Sequence, residues 1–261
     1  MINIMKSIWY EIIRSKLLIN IYLLFVGIMG LIAVLNINMG EKAGASGMIT
    51  SSPEITYEFP IFILALFVGV ICGSDYKDKV GNYEILSGHS RISIFLARSL
   101  MGIFVGAVFS TLLCFIPIIA GTIIGGWGNA VAMNDVIIRH LLMIFPMLRL
   151  AAFFALLTFL IKNQYIMMAV GWVVSMSPTI LNGMLAKGNN VYISIFNMGL
   201  LNSYDGWKIY NVDPVDGIVN YNSYISTVTS GMVIGTVAAS LLMVGFYLFM
   251  GYALFRRDEL N

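Results

Sequence analysis

The chain has 261 residues, of which 59% are hydrophobic and only 11% charged, with a formal net charge of +2. Soluble domains carry roughly 25% charged residues, so this composition excludes a globule that meets water on every side, and much of its surface must face lipid. Two cysteines, Cys72 and Cys114, both inside apolar runs, and two histidines argue against a disulfide framework and leave few ligands for a metal.

Residues 1–16 place Ile2, Met5, Ile8, Trp9, Ile12 and Ile13 at three- and four-residue spacing, with Lys6, Tyr10, Glu11, Arg14 and Ser15 on the other side. This pattern predicts an amphipathic helix lying in the membrane interface, with Trp9 at headgroup depth. A secretory signal would have an uninterrupted apolar core, and the interleaved polar residues argue against one. Leu17 to Ile37 is the first predicted span, long enough for a hydrocarbon core of ~30 Å. Residues 38–58 are polar and rich in Gly and Ser, which predicts a loop. Phe59 to Gly73 is a short second span, with Pro60 suited to a first helical turn.

Residues 74–91 form the only long charged segment between two strongly apolar runs. Acids and bases alternate there (Asp75, Lys77, Asp78, Lys79, Glu84, Arg91), with Gly81, Asn82 and Gly88 as loop formers and the apolar pair Ile85 and Leu86 inside. Apolar character then runs from Ile92 to Ile124, broken only by Arg98. This is more helix than a bilayer needs, so Arg98 is expected at the boundary, where its stem can snorkel. Pro117 is expected to kink the far end. Residues 125–135 read as a turn. A fourth span ending at Lys162 contains Pro146 and Arg149. Residues 162–164 make a tight connection to a fifth span, Tyr165 to Leu185. Residues 186–224 are polar at both ends, with Val191 to Leu201 too short to cross, and are read as an extracytoplasmic segment. Ile225 to Phe255 is the last span, followed by Arg256 and Arg257.

The expected architecture is therefore all-α: a single transmembrane domain over 1–261, with six transmembrane helices and an N-terminal interfacial helix. With the N-terminus inside, the inner segments hold ten Lys and Arg residues and the outer segments four. The positive-inside rule then puts both termini and residues 74–91 in the cytoplasm.

Chemistry is sparse. No phosphate-cradling G-x-x-x-x-G-K-[ST] and no H-E-x-x-H occurs, so the chain has neither an ATP loop nor the common membrane metalloprotease site. Ser87 and His89 are close in sequence, but a nucleophile and base need a third group and a sheltered pocket. A turn capping the next helix, with Ser90 or Ser93 at its start, explains them better. Arg149, near mid-span, costs ~2.5–3.5 kcal/mol on insertion scales. It reads either as a contact for polar cargo or a gating pair, or as a residue brought towards a polar region by a break near Pro146. No acid lies in the middle of any other span, which argues against a proton- or sodium-driven carrier. Gly102 and Gly106, and Gly231 and Gly235, form G-x-x-x-G pairs that permit close helix approach.

The run DYKDKVGNYEILSGHSRISIFLARSL, preceded by an amphipathic helix, a span, a polar loop and a second span, resembles the permease subunits of type-two ATP-binding-cassette exporters. The matching positions are Glu84, Leu86, Ser87, Ser90, Arg91 and Arg98, the last standing where the family usually has Lys. FLIKNQYIMMAVG resembles the family's tight turn between spans four and five, and GYALFRRDEL its aromatic-then-basic ending. The resemblance implies a bacterial cell-membrane exporter in which two permease chains, identical or homologous, pair with cytoplasmic ATPase subunits. Those partners would bind the ATP and Mg, leaving no cofactor in this chain and no nucleic-acid partner. Gly81, Asn82, Glu84, Ile85, Leu86, Ser87, Gly88, Ser90 and Arg91 would form the ATPase-coupling loop. The cargo would be a peptide, such as a lantibiotic in producer immunity, or another small amphipathic molecule. The alternative is a membrane-embedded sensor or assembly protein that binds a partner without transporting.

Overall fold

The computed structural model describes residues 1–38, 44–46, 59–78, 84–128, 132–185, 211–212, 219–220 and 230–257. The elements are α1 (Ile2–Arg14), α2 (Lys16–Asn38), α3 (Phe59–Asp78), α4 (Arg91–Gly125), α5 (Met133–Leu142), α6 (Ile144–Ile161), α7 (Gln164–Leu185), β1 (Asn211–Val212), β2 (Val219–Asn220) and α8 (Ser230–Arg257). The architecture is helical apart from the antiparallel pair β1–β2, which aligns Asn211 with Asn220 and Val212 with Val219. The rest of 186–224 lies outside the described residues, as do 39–43, 47–58 and the expected loop residues Gly81 and Asn82.

Among the described residues, four stretches are long and apolar enough to cross a membrane: Lys16–Leu35, Arg91–Gly125, Val136–Ile161 and Val233–Arg256. Two shorter apolar stretches, Phe59–Gly73 and Gln164–Val174, belong to α3 and α7 and pack among them. The side-chain pairings give each helix its direction. Tyr22 meets Phe67 while Phe25 meets Phe62, so α3 runs opposite to α2. Gly102 faces Cys72 and Gly106 faces Val68, so α4 runs opposite to α3. Gly69 faces Met167 and Gly171 faces Ala65, so α7 also opposes α3. Phe153 meets Tyr247 and Phe159 meets Phe255, so α6 and α8 run the same way.

One of the two shorter apolar runs, that of α3, turns out to be the innermost. Ile61, Ile63, Leu64, Ala65, Leu66 and Val68 of α3 are all buried, and α3 joins two apolar clusters. One cluster adds α1 and α2, the other α6, α7 and α8, and α4 contributes to both. A helix wrapped by protein needs no lipid-facing length, which removes the difficulty of its short run. By contrast, only 17% of the α2 stretch and 11% of the α8 stretch is buried, leaving Leu23, Leu24, Leu31, Leu242, Phe246 and Phe249 on the periphery.

Local chemistry sets the breaks. Ser15 is extended and separates α1 from α2. Met143 forms a one-residue turn between α5 and α6, just ahead of Pro146. A proline ring clashes with the carbonyl four residues before it and cannot donate to it, so the helical hydrogen bonding of the fourth apolar run is interrupted at Met143, the break that was one of the two alternatives there. Pro117 instead sits inside an uninterrupted 35-residue helix, about 50 Å long at 1.5 Å per residue. The 162–163 turn closes with Lys162 in the left-handed region at a φ of 55°. Asn163 Oδ1 then caps α7, accepting from the backbone N–H groups of Tyr165 (2.9 Å) and Ile166 (3.2 Å).

Helix α1 departs from expectation in its inward face. Ile4, Ile8 and Ile12, one turn apart, are buried against the α2–α4 cluster, whereas Ile2, Trp9 and Ile13 are exposed. Both sets have helical spacing. The protein takes one stripe, and the flanking apolar residues are left for the surroundings.

Candidate functional site

Residues 84–91 form a compact knuckle at the start of α4. Residues 84–86 make a single helical turn. The Gly88 N–H donates to the Ile85 carbonyl at 2.9 Å and the His89 N–H to the Glu84 carbonyl at 3.2 Å. The chain then reverses at Gly88 with φ at 91°, a backbone state that glycine adopts without a Cβ penalty. Ser90 is the N-cap of α4, its Oγ accepting from the Ser93 N–H at 3.3 Å, a contact of about 1 kcal/mol. Arg91 opens the helix and is exposed.

The pair Ile85 and Leu86 splits. Ile85 packs against the α1–α4 cluster, while Leu86 points outward with 83% of its surface exposed. Glu84 reaches back under the knuckle to Arg98 on α4, with Oε1 3.1 Å from Nη2 and side chains only 18% and 6% exposed. Arg98 therefore does not snorkel to water as the sequence predicted. It is buried and neutralised by a loop carboxylate. A charge-assisted bond of this kind is stronger than a neutral one, and it fastens the loop to the helix base.

Ser87 and His89 do meet, with Oγ and Nδ1 3.0 Å apart. However, the Ser87 hydroxyl also donates to the Glu84 carbonyl at 2.8 Å, and both bonds lie on an exposed turn. The hydrogen bonds thus complete the knuckle, and among the described residues nothing around them shelters a reacting group.

Arg149 lies elsewhere, in α6, wholly buried and the largest fully buried side chain among the described residues. Its ionisable neighbour is Tyr247 of α8. It is not brought together with the knuckle. Sequence reasoning missed the Glu84–Arg98 pairing, although both residues were singled out separately. It also missed His140, buried on α5 with Nδ1 2.9 Å from the Val136 carbonyl and its ring against Phe115. Thr236 and Ser240 are likewise fully buried on α8, and their hydroxyls have no hydrogen-bond partner among the described residues. Their i, i+4 spacing was the available signal. No group of residues suited to hold a metal ion occurs among the described residues.

The direction of the helices collects α1, residues 84–91, the 162–163 turn and Phe255 at one end of the bundle. At the other end, Ala45 and Ser46 donate to the carbonyls of Gly126 and Trp127. The first end carries Lys6, Arg14, Lys16, Arg91, Arg98, Lys162 and Arg256. No family model, curated protein or solved structure matches the chain.

Proposed function

We propose that the chain is the membrane subunit of an exporter driven by a separate cytoplasmic ATPase of the ATP-binding-cassette type. In this reading six helices (α2, α3, α4, the bent α5–α6, α7 and α8) cross a bacterial cell membrane, with both termini in the cytoplasm. The concentration of Lys and Arg at the knuckle end of the bundle supports that orientation. The observation that carries the reading is the knuckle itself: a loop pinned by Glu84 to Arg98, with one large apolar side chain, Leu86, held out into solvent beside it. A pinned loop transmits force to the helix it is pinned to, and a protruding leucine is the kind of anchor that fills a pocket on a partner. ATP-driven movement of the partner would then tilt α4. The sequence carries no ATP-binding motif, which fits an engine held on a separate subunit. A second permease copy would complete the translocation path, and the cargo class is a peptide or another small amphipathic molecule. Arg149, enclosed between packed helices, acts in this scheme as a gating residue with Tyr247.

The test is affinity purification of the tagged chain from its native cells, with bound ATPase identified by mass spectrometry. The expected result is an ATPase retained by the native chain and lost from Leu86→Asp, with insertion unchanged. Equal retention by both, or labelling of a Leu86→Cys thiol from the external face of intact cells, would overturn the proposal.

A further inference from the structure

Among the described residues, five buried hydroxyls have no hydrogen-bond partner: Ser99, Ser110, Thr111, Thr236 and Ser240. Four of them gather at one level of the bundle. Phe95 meets Phe159 and Phe255 in a layer of rings near the knuckle. Helix α4 climbs away from this layer, while α6 and α8 descend towards it. Fifteen residues from the rings stand Ser110 on α4, Ile144 at the start of α6 and Ser240 on α8, about 22 Å up at 1.5 Å per residue. Thr111 lies one residue further along α4, and Thr236 one turn further along α8. We propose that this level is a water-binding site, where the four hydroxyls and the backbone carbonyls released by Pro117 and Pro146 share ordered water. The inference rests on the packing of the helices and is independent of the exporter reading.

The helix faces agree with the level. On α8, Thr236, Ser240, Tyr247 and Gly251 fall within about 60° of one another at 3.6 residues per turn. Tyr247 meets Phe153 of α6, and Gly251 faces Phe159 of α6. The two hydroxyls therefore stand on the face of α8 that packs on α6. On α4, Ser110 and Thr111 share a face with Ile103, Ala107 and Cys114, which belong to the cluster of α6 and α8. Acceptors come from the backbone at the same height. Pro146 has no N–H for the Leu142 carbonyl, and Pro117 none for the Leu113 carbonyl. Leu113 and Leu142 both lie within three residues of the level of Ser110. Unpartnered buried hydroxyls are costly, and a buried water relieves such groups with about three hydrogen bonds. Water suits this set because it both donates and accepts, as a hydroxyl does, whereas a carbonyl only accepts. An anion would face those carbonyls and the negative end of α5. A cation would share the interior with Arg149, buried in α6 about two turns from the break.

The test is radiolytic hydroxyl-radical labelling of the full chain in lipid nanodiscs, read by mass spectrometry, which oxidises side chains beside bound water. Met143 at the break and Met29 on α2 are both enclosed, at 3% and 0% exposure, so burial does not separate them. Met143 is expected to be oxidised about tenfold faster than Met29, because water lies beside it. The excess should vanish in the triple variant Ser110→Ala, Thr236→Val, Ser240→Ala. Thr236→Val alone keeps the shape of the side chain and should lower the unfolding midpoint, because it removes a partner of the water. An unchanged or raised midpoint would overturn the proposal, since losing an unsatisfied buried hydroxyl is neutral or stabilising. Equal oxidation of Met143 and Met29 would overturn it too. So would a midpoint raised specifically by sodium over choline or by chloride over gluconate, because the level would then hold an ion. Failure of the exporter reading would show only in ATPase retention and would leave these outcomes unchanged.

Discussion

Two buried arginines divide the bundle. Arg98 sits at the crowded, basic end and is met by a carboxylate from a loop, whereas Arg149 sits inside α6, enclosed by helices, with Tyr247 as its ionisable neighbour. The first therefore joins a loop to a helix, and the second occupies volume between helices. Burying a charge is costly in either place, but the compensation differs. At Arg98 it comes from a specific partner that a substitution strands. At Arg149 the side chain fills a large enclosed volume and also interacts with neighbours inside the bundle, Tyr247 among them.

That contrast is exposed to direct attack. Arg149→Ala should have the largest effect, a loss of about 2–5 kcal/mol of the order seen for large core truncations. Arg149→Met should recover part of that loss because it restores volume. Equal damage from Ala and Met, read as unfolding midpoint in detergent, would show that Arg149 is held by charge after all. Next, Arg98→Met should cost about 1–3 kcal/mol despite its similar length, because Glu84 is left partly buried without its cation. Combining it with Glu84→Gln should give less than the sum of the two single losses, a non-additivity that a double-mutant cycle measures. Additive losses would mean the pair contributes nothing.

A third substitution, Gly171→Ala, probes packing without charge. Its new Cβ would collide with the Ala65 Cβ of α3, and overpacking of this kind typically costs about 1–3 kcal/mol. Leu86→Asp should be the mildest for the fold, within about 0.5 kcal/mol, since its side chain is mostly exposed. A clear drop in melting temperature for Leu86→Asp would mean that the knuckle is part of the core and not a handle presented to another molecule.

Some of this was legible in advance and some was not. The knuckle's local features were readable because each depends on neighbours in sequence. Gly88 supplies a left-handed turn and Ser90 a cap, and both act within about one helical turn, as does Pro146 in α6. The likeness of the loop to a coupling segment directed attention to Glu84, Leu86 and Arg98 separately. It did not join them, because whether Glu84 or water meets Arg98 depends on where the knuckle folds back. The inward face of α1 was ambiguous for a related reason. Ile4, Ile8 and Ile12 compete with a second apolar stripe of the same period, and only the surface offered by α4 and its neighbours decides between them.

From the amino-acid chain by itself came the apolar runs, their breaks, the polar elbow between the second and third runs and the concentration of basic residues at one end. These follow from local hydropathy and backbone preference, which act over a few residues. Tertiary structure alone decided that the short run of α3 would be the innermost helix, that Arg98 would be neutralised from the loop, and that Arg149 would be enclosed. Each of those depends on which distant surfaces come together, and burial and pairing are properties of that assembly rather than of any one segment.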